Sequence, residues 1–266
     1  MKIILCGALG RMGTAVREYV DKTGEAQITA GVDFLSPPIF VDFPLYKDFN
    51  FNTSADVIIS FLPPSADINH LLGFAIRMAL PLVICTTGLK PTELKAVSDA
   101  SNSIPVLHSP NMSLGIAVMK EILSQISAGL HRAGFDIEII EKHHKRKIDA
   151  PSGTAIDLAN VIQNEVPEKT TYTYGRNGCE ARGANEIGIH SIRGGGIFGE
   201  HSILFASENE TLEIKHSALD RSVFAQGAVR AALFLTKMFP GLFTMEDVLF
   251  RNIIGRHGAI RVGETK

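Results

Sequence analysis

The opening residues commit the chain to one kind of architecture. Ile3-Ile4-Leu5-Cys6 is an unbroken apolar run, Gly7-Ala8-Leu9-Gly10-Arg11-Met12-Gly13 follows at once, and Met12, Ala15, Val16, Tyr19 and Val20 then recur at amphipathic-helix spacing. A short run that is apolar on both faces suits a strand buried inside a parallel sheet. Glycines at such a strand-to-helix junction allow a tight turn, close backbone approach to a pyrophosphate, and close helix–strand packing. The helix N-terminus adds unpaired N–H groups and a partial positive charge. Gly7, Ala8, Leu9, Gly10, Arg11 and Met12 are therefore candidate dinucleotide contacts. Asp33 ends the next β-rich run, Gln27–Val32. It stands about 20 positions on, where an acidic residue accepts hydrogen bonds from an adenosine ribose. Its carboxylate would repel a 2′-phosphate and Phe34 brings no cation, which favours NADH over NADPH. Arg11 is the residue able to admit the phosphate.

The same alternation continues. Val57–Phe61, Leu82–Cys85 and Pro105–Leu107 read as strands, Asp67–Ala79 as a helix stopped ahead of Pro81, and a further helix begins near Pro91. Strands alternating with helices imply βαβ crossovers and a doubly wound, mostly parallel sheet. After Asn111 the character changes. Leu114–His131 reads as a long helix and Asp136–His143 alternates as a strand, and Glu186–Arg193, His201–Ser207 and Thr211–Ser217 are further β-rich runs. Strands without intervening helices suggest a second sheet, mixed or antiparallel and open on one face. Thr170–Arg182 is polar and is expected to be a mobile loop; Val223–Phe239 returns to helix. The fold class expected is α/β: an N-terminal Rossmann-type doubly wound domain plus a second α+β domain with a mixed, open-faced sheet.

Composition narrows the partners. The 266 residues suffice for one large or two modest domains, and 26 Lys+Arg against 28 Asp+Glu leave a net charge of −2. That balance gives no drive toward nucleic acid or an anionic membrane. The longest apolar stretch, Leu71–Cys85, is interrupted by Arg77 and Pro81 and is too short to span a bilayer. The three cysteines are odd in number and far apart, which argues against a disulfide framework and suits a reducing cytoplasm.

The densest chemistry lies in Glu141-Lys142-His143-His144-Lys145-Arg146-Lys147-Ile148-Asp149-Ala150-Pro151-Ser152-Gly153-Thr154-Ala155, which leaves a strand and enters a helix. Ser152 can cap that helix, or Thr154 with Asp157 can do so one register later. In either register the N–H groups of Gly153 and Thr154 face an anion site, with Lys147 and the two histidines just upstream. A metal is not expected, because ligands on a helix want His-x-x-x-His spacing and adjacent strand residues point to opposite faces. Lys142, Lys145 and Arg146 read as solvated charges. His108, His190, His201 and His216 read as hydrogen-bonded structural histidines, with His190 and Arg193 left open as cleft residues.

These residues resemble the bacterial 4-hydroxy-tetrahydrodipicolinate (dihydrodipicolinate) reductase family over nearly the whole chain. The most specific match is Glu-x-His-His-x-x-Lys-x-Asp-Ala-Pro-Ser-Gly-Thr-Ala from Glu141 to Ala155. The opening Gly-x-x-Gly-Arg-Met-Gly, the segment Arg193-Gly-Gly-Gly-Ile-x-Gly-Glu-His201, and His216-x-Ala-x-x-Arg221-x-x-Phe-Ala add to it. The resemblance implies an enzyme that reduces a small cyclic dicarboxylate imine with NADH or NADPH, adding hydride at C4, in lysine and diaminopimelate biosynthesis. It implies His143 and Lys147 as proton donors, and His144, Ser152, Gly153 and Thr154 at a substrate carboxylate. It places Cys85, Thr86, Thr87, Ser109, Pro110, Asn111 and Met112 at the cofactor, and expects no metal. It also implies a cytoplasmic homotetramer paired through the second sheet. Residues 222–266 would return to complete a dinucleotide domain of residues 1–111, around a substrate domain of 112–221, with hinges near Asn111 and Arg221. Ser60-Phe61-Leu62, Cys85 and Met112 depart from the family pattern, all on the nicotinamide side. The other classes in view are a dinucleotide-binding regulator that has lost catalysis and an amino-acid dehydrogenase of the same plan.

Overall fold

Strands that are apolar on both faces need helices above and below them, and the chain supplies these in order. The computed structural model describes residues 1–34 and 40–250. The chain begins β1 (Lys2–Cys6), α1 (Arg11–Thr23), β2 (Gln27–Val32), β3 (Leu45–Tyr46), β4 (Val57–Ser60) and α2 (Ile68–Met78). It continues β5 (Leu82–Ile84), α3 (Pro91–Ala100), β6 (Pro105–His108), α4 (Leu114–Arg132), β7 (Asp136–His143) and α5 (Gly153–Glu165). It closes with β8 (Thr171–Tyr174), β9 (Glu186–Arg193), β10 (Gly199–Ala206), β11 (Thr211–Ala218), α6 (Ser222–Leu235), β12 (Gly241–Phe243) and α7 (Met245–Phe250).

The first sheet is parallel throughout, in the order β12-β6-β5-β4-β1-β2-β3. Ile3, Ile4, Leu5 and Cys6 are all fully buried, as an apolar run at the sheet's centre must be. Val16 and Val20 of α1 and Ala225, Ala228, Val229 and Ala232 of α6 cover one face, and Leu71, Phe74 and Ala75 of α2 with Val97 of α3 cover the other. Strand order reverses between β2 and β4 on either side of β1, which is where open α/β sheets take ligands, outside their C-terminal ends. Helix α6 packs in the first core and β12 joins the first sheet; the expectation that residues 222–266 complete this domain falls partly on residues 251–266, which lie outside the described residues.

The second sheet is mixed, in the order β11-β10-β7-β9-β8, with β10 antiparallel to β11 and β7, and β7, β9 and β8 parallel. Ile137 and Ile139 of β7 join Ile116, Leu123, Leu158 and Ile162 of α4 and α5 in its core. Glu138, one residue out of phase, takes hydrogen bonds from Arg176 (3.2 Å), Arg182 (3.1 Å) and His190 (2.7 Å) on the opposite face.

Two expectations are corrected. The stretch 170–182 is not a free loop: Thr171–Tyr174 alternate β-favouring side chains and form an edge strand, and the Tyr172 hydroxyl meets Asn160 (2.7 Å) and Gln163 (3.0 Å) on α5. The last long helix ends at Leu235 rather than near Phe239, because the chain turns there to lay β12 beside β6.

Candidate active site

A cleft of about 680 Å³ opens between the C-terminal ends of the first sheet and the loop from β7 to α5. On the first-sheet side the glycine turn is built from backbone. Gly7 has φ +77°, and a β-carbon there would lie 2.9 Å from the Phe61 carbonyl oxygen; one at Gly13 would lie 2.2 Å from that of Gly7. Gly10 caps α1 with no side-chain hydrogen bond, so the N–H groups of that first turn stay available. A cradle that β-carbons would fill, at an uncapped helix start, fits the pyrophosphate of a dinucleotide. Asp33 is 5% exposed, and its Oδ2 accepts the Leu9 N–H at 2.8 Å, so the carboxylate also braces this turn. Of the turn residues Met12 reaches the cleft wall, while Gly7, Ala8, Leu9, Gly10 and Arg11 lie away from it.

Cys85, Thr87, Pro110, Asn111 and Met112 line the same wall. Thr86 does not: it is buried and its hydroxyl donates to the Leu62 carbonyl at 2.9 Å. Ser109 likewise stands outside the wall and spends its hydroxyl on the Asn111 carbonyl at 2.7 Å. Burial pushes the Cys85 thiol well above its ordinary range, so the side chain is a neutral apolar wall.

On the opposite wall the pleat of β7 decides which side chains meet. Alternation places Ile137, Ile139, Glu141 and His143 on the helix-covered face, all buried. His143 Nδ1 lies 2.6 Å from Glu141 Oε2. Arg193, at the end of β9, donates to both Glu141 oxygens (2.7 and 2.6 Å) and to the Asp149 carbonyl (2.6 Å). Burial opposes the ionised form of Glu141, but hydrogen bonds from His143 and Arg193 outweigh it and hold the carboxyl far below its usual range. Strand register sets His216, His201 and Glu141 in one row across β11, β10 and β7, and Gly199 opposite Ala218 in the next.

The loop then enters α5. Ser152, not Thr154, is the cap: its hydroxyl accepts the Ala155 N–H at 3.1 Å and stands 3.0 Å from His201 Nε2. Gly153 and Thr154 follow in the cleft wall, and Thr154 Oγ1 accepts from Asn111 Nδ2 at 3.0 Å, joining the two walls. Lys147 Nζ is 2.8 Å from Asp149 Oδ2, and both residues line the cleft.

The expected residues thus converge in part. His143, Lys147, Ser152, Gly153 and Thr154 share one wall, whereas His144 does not line the cleft, consistent with neighbours along a strand facing opposite ways. His190 and Arg193 also lie outside it, held by Glu138 and Glu141. His201 and His216 both line the cleft: Nε2 of each stands beside a serine hydroxyl, Ser152 at 3.0 Å and Ser113 at 3.1 Å, while the Nδ1 atom of each is buried with no partner among the described residues. Burial first, and then the neighbouring His143, pull His201 down to about 3. The Arg221 guanidinium lies over the Phe198 ring, 5.5 Å from its centroid. Sequence reasoning missed Glu141, although its spacing of two from His143 on a strand was the available signal. Among the described residues no group of three or more His, Cys, Asp or Glu is arranged to hold a metal ion, and no helix is long and apolar enough to cross a membrane.

Known proteins share this plan. Residues 1–112 match the family described as dihydrodipicolinate reductase, N-terminus, and residues 115–249 the family described as dihydrodipicolinate reductase, C-terminus. The chain is 46% identical over 251 residues to the 4-hydroxy-tetrahydrodipicolinate reductase of Caldanaerobacter subterraneus subsp. tengcongensis, covering 94% of this chain and 98% of that one. It is 43% identical over 249 residues to the enzyme of the same name from Clostridium novyi, covering 93% and 98%. Among solved structures, dipicolinate-bound dihydrodipicolinate reductase from Paenisporosarcina sp. TG-14 superposes with a TM-score of 0.78 at 23% identity, covering 94% of this chain and 99% of that one, and so shares its fold. The first part is a Rossmann-type dinucleotide-binding domain, and the chain, an oxidoreductase, belongs to the dihydrodipicolinate reductase family.

Proposed function

We propose that the protein reduces 4-hydroxy-tetrahydrodipicolinate to tetrahydrodipicolinate at the expense of NADH or NADPH, as a step of lysine and diaminopimelate biosynthesis. The observation that supports this best is the cleft itself, in which His143, Lys147 and the N-terminus of α5 face Cys85, Thr87 and Asn111 across one cavity. A bound nicotinamide would supply the hydride, directed to C4 of the ring. Gly7, Gly10 and the first turn of α1 would hold its pyrophosphate, and Asp33 favours NADH by repelling a 2′-phosphate. The N–H groups of Gly153 and Thr154 would hold one substrate carboxylate. Because Thr154 Oγ1 already accepts from Asn111, its own proton is left to donate to that carboxylate. The incoming dicarboxylate would draw Lys147 from Asp149, and the ammonium would then assist loss of the 4-hydroxyl. His143 would protonate the reduced ring system. His144 would join the site only through movement of residues 144–150 as the two walls close. A cytoplasmic homotetramer, paired through the open face of the second sheet, completes the reading.

The test is nicotinamide oxidation with substrate formed in situ by a synthase from pyruvate and aspartate semialdehyde. Oxidation should require that substrate, with His143→Gln lowering kcat about 10²–10⁴-fold and Lys147→Ala impairing both kcat and KM. Undiminished turnover by His143→Gln would remove His143 from the chemistry. No oxidation by a folded protein that still binds NADH would favour the regulator or an amino-acid dehydrogenase.

A further inference from the structure

Glu141 is the one carboxylate, imidazole or cationic side chain among the described residues with 0% exposure, and nothing in the proposed chemistry uses it. Its two oxygens collect the His143 ring at 2.6 Å, both terminal nitrogens of Arg193 at 2.7 and 2.6 Å, and the Ser152 N–H at 3.1 Å. An ionised carboxylate only accepts hydrogen bonds. His143 Nδ1 must therefore be a donor, and the exchangeable proton of this histidine belongs to Nε2. Gly199 borders that nitrogen: a β-carbon there would lie 3.1 Å from Nε2, so bare backbone leaves the ring edge room beside the cleft. Through Ser152 the same carboxylate also anchors the start of α5, whose N–H groups face the proposed carboxylate site.

We infer that Glu141 is a positioning residue: it fixes His143 in the Nδ1–H tautomer, so that Nε2 alone delivers the proton, and ties that nitrogen to the start of the helix that holds the substrate. Arg193 keeps the carboxylate ionised and in place by a bidentate pair. Protonation of Glu141 by His143 is thereby disfavoured, and the proton has one exit. This rests on the reading of His143 as the proton donor.

Two measurements on the full chain test it. In protein labelled with 15N-histidine, long-range proton–nitrogen correlations assign the neutral tautomer of His143, whose signals are identified by their loss in His143→Gln. Nδ1–H in the wild type is expected, and Nε2–H would overturn the proposal whether or not any Glu141 variant folds. Steady-state kinetics of Glu141→Gln come second. An amide can donate to Nδ1 and impose the other tautomer, so kcat should fall on the order of 10²-fold or more while KM changes far less. Wild-type kcat in Glu141→Gln, with His143→Gln inactive, would sink the positioning role alone. Full activity in His143→Gln would sink the donor reading instead, and the tautomer result would still report on the Glu141 contact.

Discussion

The two walls of the cleft are made by opposite means. The glycine turn between β1 and α1 offers backbone N–H groups, and side chains enter mainly by their absence: at Gly7 and Gly13 a β-carbon would strike a carbonyl. The loop between β7 and α5 is made of side chains instead. Glu141, His143, Arg193, Ser152 and His201 form one hydrogen-bonded set, most of it buried. A backbone site of this kind does not tolerate added volume at Gly7 or Gly13. A side-chain site does not tolerate changes of identity either, because each buried polar group depends on the next. The difference suits the ligands. A pyrophosphate needs fixed dipoles, whereas a ring that gains protons needs groups able to hold and release them.

The sharpest way to break this contrast is Gly13→Ala. The added carbon would sit 2.2 Å from the Gly7 oxygen and 2.6 Å from the Ala8 oxygen, both backbone atoms that cannot rotate away. Helix α1 must shift, at a cost of about 3 kcal/mol or more, and NADH affinity should fall at least about tenfold, the equivalent of roughly 1.4 kcal/mol. Gly10→Ala is the control. Its nearest neighbour would be 3.3 Å away and its φ of −71° suits any residue, so the fold should survive while cofactor affinity alone declines. Chemical denaturation and NADH titration separate the two. A Gly13→Ala protein as stable as the wild type would show that the turn is not built on close approach.

The side-chain wall should instead betray itself through pH. Burial pulls His201 down to about 3 in the fold, while a free imidazole titrates near 6.5. Unfolding then takes up a proton, so this contribution to stability is complete above pH 6.5 and is lost as pH falls toward 3. At about pH 5.5 the loss amounts to about 1.4 kcal/mol. Urea unfolding at about pH 7.5 and 5.5 should show the wild type losing that much more than His201→Gln. Equal losses would mean that His201 is not held neutral. The glycine turn carries no histidine and contributes nothing of this kind.

The sequence disclosed the two walls unequally. The parallel sheet was legible because its strands are unbroken apolar runs, and the glycine turn because its constraint is local. β3 and β12 escaped notice, being two and three residues long with no periodicity to display. β8 was hidden by its polarity, which an edge strand tolerates. In the side-chain wall the loop was legible as a motif, but its organisation was not. That His201 faces Glu141, and that Gly199 sits beside His143, follows from pairing between β10 and β7, strands some sixty residues apart. Register over that distance is set by packing of the whole sheet and leaves no local mark. The bonds made by the Thr86 and Ser109 hydroxyls were hidden in the same way, since their backbone partners are revealed only by the fold.

The smallest effect concerns a hydrogen bond that joins the two walls directly, from Asn111 Nδ2 to Thr154 Oγ1 at 3.0 Å. Asn111 also accepts from the Ser113 N–H at 2.9 Å, so it is anchored where the chain leaves β6 for α4. A neutral, partly buried bond of this sort contributes about 0.5–1.5 kcal/mol. Asn111→Ala and Thr154→Val each remove other interactions too, so neither alone measures the link. The double-mutant cycle does, and should give a coupling of about 0.5–1 kcal/mol in unfolding free energy. A coupling of zero would mean that this hydrogen bond does not tie the backbone-built half of the site to the side-chain-built half. A coupling that grows when NADH is bound would mean the opposite: occupancy of one wall tightens the other, and the Thr154 hydroxyl is set for the carboxylate before the substrate arrives.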